Sequence, residues 1–171
     1  MLFRSTVAGY ARELYGVRRV WTHAVLQEMA KKGGLDESGY LEATAKLAGF
    51  GYFFTSINAA SAVIDGRMAG WNPDRWPLKG SLRYLQVETI ELSQSTKLAR
   101  ELILRMYNED LLPETRNVAV IAVLEALGKR QSGMAAIRAV RETLPGAFGL
   151  NVIGAYDALQ TIDAWLASKA H

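Results

Sequence analysis

Short apolar runs broken by glycine mark the first third of the chain, and long helical periods mark the rest. Residues 2–5 (LFRS) form a brief apolar start. Val7, Tyr10, Ala11 and Leu14 then recur at helical spacing over 7–15, until Gly16. The run 17–22 (VRRVWT) is β-branched and aromatic, which predicts a strand. A helix over 23–32 follows, with Ala24, Val25, Leu26 and Met29 as its apolar positions and Gly33-Gly34 as its stop. Asp36 is placed to cap a longer helix whose inward positions are Tyr40, Leu41, Thr44 and Leu47, ending at Gly49-Phe50-Gly51. Residues 52–56 (YFFTS) again have strand character. Three strands alternating with helices predict a small parallel sheet and an α/β, mostly helical fold. An all-α fold is the alternative, because each strand is short.

Beyond Ser56 the strand signal disappears. Residues 57–70 read as helix up to Gly70. The segment 71–80 (WNPDRWPLKG) carries two prolines, two tryptophans and one glycine, which forbid regular pairing while both indoles favour burial. It reads as an ordered, packed connector. Helical patterns then cover 81–88, 94–108, 113–129, 132–143 and 151–168. Ser93 suits an N-cap and Pro113 a first turn, while Gly128, Gly133 and Pro145-Gly146 read as breaks. The stretch ETRNVAVIAVLEAL is apolar on most sides and predicts a helix at the centre of the core. No repeat of solenoid length stands out. The expected organisation is an α/β segment over 1–70, the connector over 71–80, and a helical region over 81–171.

Composition narrows the classes. Half of the 171 residues are hydrophobic and 22% are charged, as expected of a folded globular chain rather than a disordered one. The longest apolar run, Val118–Leu124, falls far short of the roughly 20 residues that span a bilayer, so no membrane partner is expected. The start, MLFRST, has no long apolar stretch of the secretory kind. Cysteine is absent, which excludes disulfide and thiolate chemistry and suits a cytoplasmic protein. Two histidines, one of them the last residue, give little basis for a zinc site. The net charge of +3 is modest, with Arg4, Arg12, Arg18, Arg19, Lys31 and Lys32 making the first fifth the more basic part. A solvated basic face explains that excess, and phosphate attraction is its functional counterpart.

In an open α/β fold the chemistry would gather at the strand ends. Ser5, Thr6, Thr22, His23, Thr55, Ser56 and Asn58 stand there, and none is acidic. Hydroxyls orient water or phosphate but do not supply the charge that holds magnesium. Thr22 and Ser56 read more simply as helix caps, and His23 as a helix-start histidine without an orienting carboxylate. The connector offers the other candidate. Trp71 and Trp76, interleaved with Asp65, Arg67, Asp74 and Arg75, would form either a stacking platform for single strands or a clamp between parts of the fold. The clamp is the preferred reading.

The run ARELYGVRRVWTHAVLQEMAKKGGLDESGYLEATAKLAGFGYFFT, 11–55, resembles the C-terminal half of a PIN-like nuclease domain. Ala11-Arg12, Gly16-Val17, Thr22, Leu26, Gly34-Leu35, Tyr40, Leu47 and Gly51-Tyr52 follow that family's order. Domains of this kind occur in large bacterial proteins with appended helical regions. The family's aspartate should precede the first helix, where this chain has Ser5-Thr6. The resemblance therefore implies a nuclease scaffold without its metal site, with the opening half of the domain expected upstream of Met1. On this reading the chain has no nuclease activity of its own and serves in binding or regulation. No cofactor is expected, and magnesium enters only if metal-dependent ribonuclease activity exists. Asp36, Glu37, Asp65 and Asp74 are then the candidate catalytic acids. Single-stranded RNA would meet Arg12, Arg18, Arg19, Trp71, Arg75 and Trp76. The competing reading is a non-enzymatic protein-interaction module built on the C-terminal helices, with a homodimer or a larger parent protein as partner.

Overall fold

The computed structural model describes residues 22–36, 39–40, 43 and 58–169. Contacts divide the chain into two compact units, Met1–Tyr40 and Leu41–His171. In the first unit, α1 spans Thr22–Lys31. Its end is closed by Gly33, at φ 73°, with the Gly34 N–H donating 2.9 Å to the Met29 carbonyl. The Asp36 carboxylate then accepts the Gly39 N–H at 2.8 Å, and Gly39 and Tyr40 are helical, which is the cap the sequence implies.

The fold class is corrected by these elements. Among the described residues there are seven bounded helices and no strand, so the all-α alternative replaces the three-strand parallel sheet. The expected strands at 2–5 and 52–56, and 17–21 of the second, lie outside the described residues. Thr22, the last residue of that second strand, is the first residue of α1. The physical reason is length. An apolar run of four to six residues satisfies the strand pattern and a buried helical turn equally well, and β-branched content does not separate them.

The second unit holds α2 (Ala59–Met68), α3 (Leu78–Leu85), α4 (Leu92–Met106), α5 (Pro113–Gly128), α6 (Gly133–Ala147) and α7 (Val152–Ser168). A capping box starts α2: the Asn58 side chain accepts the Ser61 N–H at 2.9 Å, and the Ser61 hydroxyl accepts the Asn58 N–H at 3.1 Å. Pro113 occupies the first turn of α5, where its missing N–H costs nothing. Asn151 caps α7 by accepting the Gly154 N–H at 2.9 Å. Three helices differ most from expectation. Helix α3 covers Leu78–Leu85 rather than 81–88, so it takes in the last three residues of the connector expected over 71–80. Helix α4 starts at Leu92, so Ser93 sits inside its first turn, its hydroxyl 3.3 Å from the Glu91 carboxylate. Helix α6 continues past Pro145 to Ala147, since a proline near the last turn removes one backbone hydrogen bond from a helix about to end.

Helices α4 and α5 are central. Helix α4 packs on α2, α3, α5 and α6, and α5 packs on α3, α4, α6 and α7. Leu102, Ile103 and Met106 of α4 meet Val120, Val123, Leu124 and Leu127 of α5 in one continuous core, closed by Ile137 and Leu144 of α6 and by Ile162 of α7. The turn between α5 and α6 is tight. A Cβ at Gly133 would collide with the Leu127 carbonyl oxygen and stand 2.7 Å from the Gly128 Cα. Backbone cannot swing aside as a side chain does, so Gly133→Ala is expected to cost about 1–3 kcal/mol in urea unfolding. A loss below 0.5 kcal/mol, about the scatter of neutral surface changes, would show that the turn relaxes freely.

Candidate functional site

The connector is ordered by its first tryptophan. Gly70, at φ 60°, and Trp71, at φ 57°, turn the chain back on α2, and the Trp71 N–H donates 2.7 Å to the Gly66 carbonyl. Gly66 is required there, because a Cβ would lie 2.7 Å from the Trp71 ring. Trp71 is 5% exposed, and its faces are used inside the fold rather than offered to a base. Arg67 makes a bidentate bridge from α2 to Glu109, at 2.6 and 2.7 Å. Asp65 is buried at 1% exposure, with the Ser81 hydroxyl of α3 donating to one oxygen and the other oxygen unpartnered. Burial pushes its carboxyl from 3.8 up to about 6, against the opposing effect of the Ser81 hydroxyl.

Pro73 and Asp74 of the connector, with α3 and α5, frame an open groove of about 520 Å³, within the size range of ligand sites. Helix α5 contributes Val118, Ile121, Ala122, Glu125, Ala126 and Lys129, a spacing that places them along one helix face. Helix α3 contributes Lys79, Leu82, Arg83 and Gln86 by the same rule, and Pro73 and Asp74 come from the connector. The circumferential apolarity of α5 thus has two uses. One face is the core, and the other, carrying Val118 at 52% and Ile121 at 39% exposure, is the floor of the groove.

Charge is arranged around that floor. The Arg83 guanidinium stands 5.6 Å from the centre of the Trp76 ring, which is 40% exposed. Glu125 accepts from Lys169 Nζ at 2.9 Å and from Trp165 Nε1 at 2.8 Å, and these two bonds hold its carboxyl below the usual range. Lys79 and Lys129 have no ion pair among the described residues.

Of the residues singled out from the sequence, Asp74 lines the groove, while Arg75 and Trp76 are exposed on the same connector. Asp65 and Trp71 are interior, and Asp36 is an exposed helix cap in the other unit. Arg12, Arg18, Arg19 and Glu37 lie outside the described residues, as does the side chain of His23. No three histidine or acidic side chains gather as a metal-binding group among the described residues, and no described helix is long and apolar enough to cross a membrane. Sequence reading missed Val118, Ile121, Lys79 and Lys129. The signal for the first two was present: a helix apolar on every side must find cover on every side, and α3, α4, α6 and α7 leave one face open. A second exposed apolar run, Leu150, Val152, Ile153 and Tyr156 around the start of α7, lies outside the groove. Comparison with family models, with curated proteins and with solved structures finds no match to this chain.

Proposed function

We propose that this chain is a non-enzymatic protein-interaction module that docks a partner polypeptide in the groove between α3 and α5. The observation that carries this reading is the exposure of Val118 and Ile121 on the open face of α5, a helix whose other face is the centre of the core. Large aliphatic side chains held rigidly on a helix, flanked by the half-buried Ala122 that lets a second backbone approach, form the anchor pocket of a helix-in-groove contact. The residues that resemble a PIN-like domain lie mostly outside the described part, and the groove stands apart from them in the sequence. It supplies positioned apolar surface and no clustered acids, which favours binding over metal-dependent cleavage.

Selection of displayed random peptides against the immobilised protein tests the reading, with Ile121→Asp as the counter-target. A pool that binds the wild type and loses at least about tenfold in affinity for Ile121→Asp is the expected result, since a buried charge in an apolar contact costs well over 1.4 kcal/mol. A pool that binds both proteins equally, or no pool at all, would overturn it. Light scattering across a concentration range covers the remaining occupant: dimerisation abolished by Ile121→Asp would make a second copy of the chain the partner.

A further inference from the structure

The rim of the groove says what chemistry the partner carries. Three cations border the apolar floor, Lys79 and Arg83 from α3 and Lys129 from the end of α5. Two acids stand among them. Glu125 accepts from Lys169 and from Trp165 on one oxygen, Oε1, and Lys129 adds a further favourable charge interaction with it. The rim thus holds three cations against two acids, and Lys169 adds a fourth cation beside Glu125. Neither Lys79 nor Lys129 has an acid within ion-pair distance among the described residues. The groove is therefore apolar at its base and positive along its edges.

Its length is fixed by α5. From Val118 to Lys129 the lining positions run over eleven helical steps, roughly 16 Å at 1.5 Å per residue. A partner helix of about three turns spans that distance. We infer that the occupant is an acidic amphipathic helix, its apolar stripe on Val118 and Ile121 and its carboxylates on Lys79 and Lys129. Resting on the docking role argued above, this assigns the partner's chemistry. A basic or neutral helix would bury the same apolar surface while leaving Lys79 without counter-charge and Lys129 with only the Glu125 it shares with Lys169, so charge gives the selectivity and the apolar floor gives the affinity.

The peptide selection separates the two claims when its pool is sequenced and re-tested. Peptides enriched on the wild type are expected to carry more Asp and Glu than Lys and Arg, with apolar residues at i, i+3 or i+4, and i+7. A labelled enriched peptide is expected to bind the Lys79→Glu/Lys129→Glu variant at least about tenfold more weakly, and to lose affinity as salt rises. Lys129 is exposed, so Lys129→Glu alone serves if the double variant folds poorly; there a loss of about threefold is expected. A neutral or basic pool, or affinity indifferent to both charge reversals, overturns the acidic partner even while Ile121→Asp still abolishes binding and the docking groove stands. Loss of all enrichment, or indifference to Ile121→Asp, removes the groove reading and this inference together. Tight binding of labelled oligouridine that is lost on charge reversal, and that displaces the peptide, would overturn the inference in favour of RNA.

Discussion

Arg130→Ala is expected to destabilise the second unit by about 3–5 kcal/mol. Arg130 is 5% exposed, directly after the end of α5. One guanidinium nitrogen donates to the Val87 carbonyl at 2.9 Å and to the Ser95 hydroxyl at 2.7 Å, and another donates to the Ile90 carbonyl at 2.5 Å. The Glu88 carboxylate lies 3.9 Å from Nε and also accepts the Gln131 N–H at 2.9 Å. One side chain thereby satisfies the inward carbonyls of the α3–α4 loop and ties that loop to the α5–α6 turn. Alanine leaves those acceptors buried and unpaired and opens a cavity beside them. Lysine is expected to recover less than half, since an ammonium cannot reproduce the planar fork that reaches separated carbonyls. Urea unfolding should show a lower midpoint at unchanged slope for both variants. A loss under 1 kcal/mol for the alanine variant would mean that water replaces the guanidinium without penalty. The consequence reaches the groove, because Arg130 follows Lys129 and anchors the end of the helix that carries the floor.

What the sequence revealed, and what it concealed, follows from the range of the interactions. The start of α5 was legible because Pro113 acts on its own backbone, and the Asp36 cap was legible for the same reason. Ser93 misled because a cap depends on where the preceding chain enters, and here Arg130, more than thirty residues away, holds that entry through Ser95 and Ile90. Pro145 misled because the cost of a proline depends on how much helix remains after it. The expectation that α5 is central is met by Val120, Val123, Leu124 and Leu127, all fully buried, yet its apolar periodicity could not say which face would stay open. That is decided by where α3 and α7 cross it. Lys79 and Lys129, fifty residues apart, gave no local sign that they would share a rim. Asp65 had no local sign of burial either, since it sits between Ile64 and Gly66 in a stretch with little amphipathic contrast.

That buried carboxylate gives the unit an inverted pH response. In the folded chain the Asp65 carboxyl is raised to about 6, chiefly by desolvation, while in the unfolded chain it returns to about 3.8. The folded state therefore holds the proton more tightly than the unfolded state. Below about pH 4 both are protonated and Asp65 imposes no penalty. As pH rises through 4 to 6 the unfolded chain ionises first, and the folded state loses stability, by about 3 kcal/mol once pH exceeds the folded value. Glu125 and Asp163 act in the opposite sense, because their hydrogen-bonded cations lower their carboxyls and that stability is lost as pH falls. The total pH profile mixes these signs, so the informative quantity is the difference between wild type and Asp65→Asn. Asparagine keeps an oxygen to accept the Ser81 hydroxyl and carries no charge at any pH. Burying the asparagine NH2 beside the unpartnered oxygen's position costs a constant amount, so the expected signature is relative: Asp65→Asn gains about 3 kcal/mol on wild type between pH 4 and pH 7.5, read from urea unfolding of both at pH 4, 5, 6 and 7.5. A difference between the two proteins that stays constant from pH 7.5 down to pH 4 would show that the Asp65 carboxylate is stabilised in the fold by more than the single Ser81 hydroxyl.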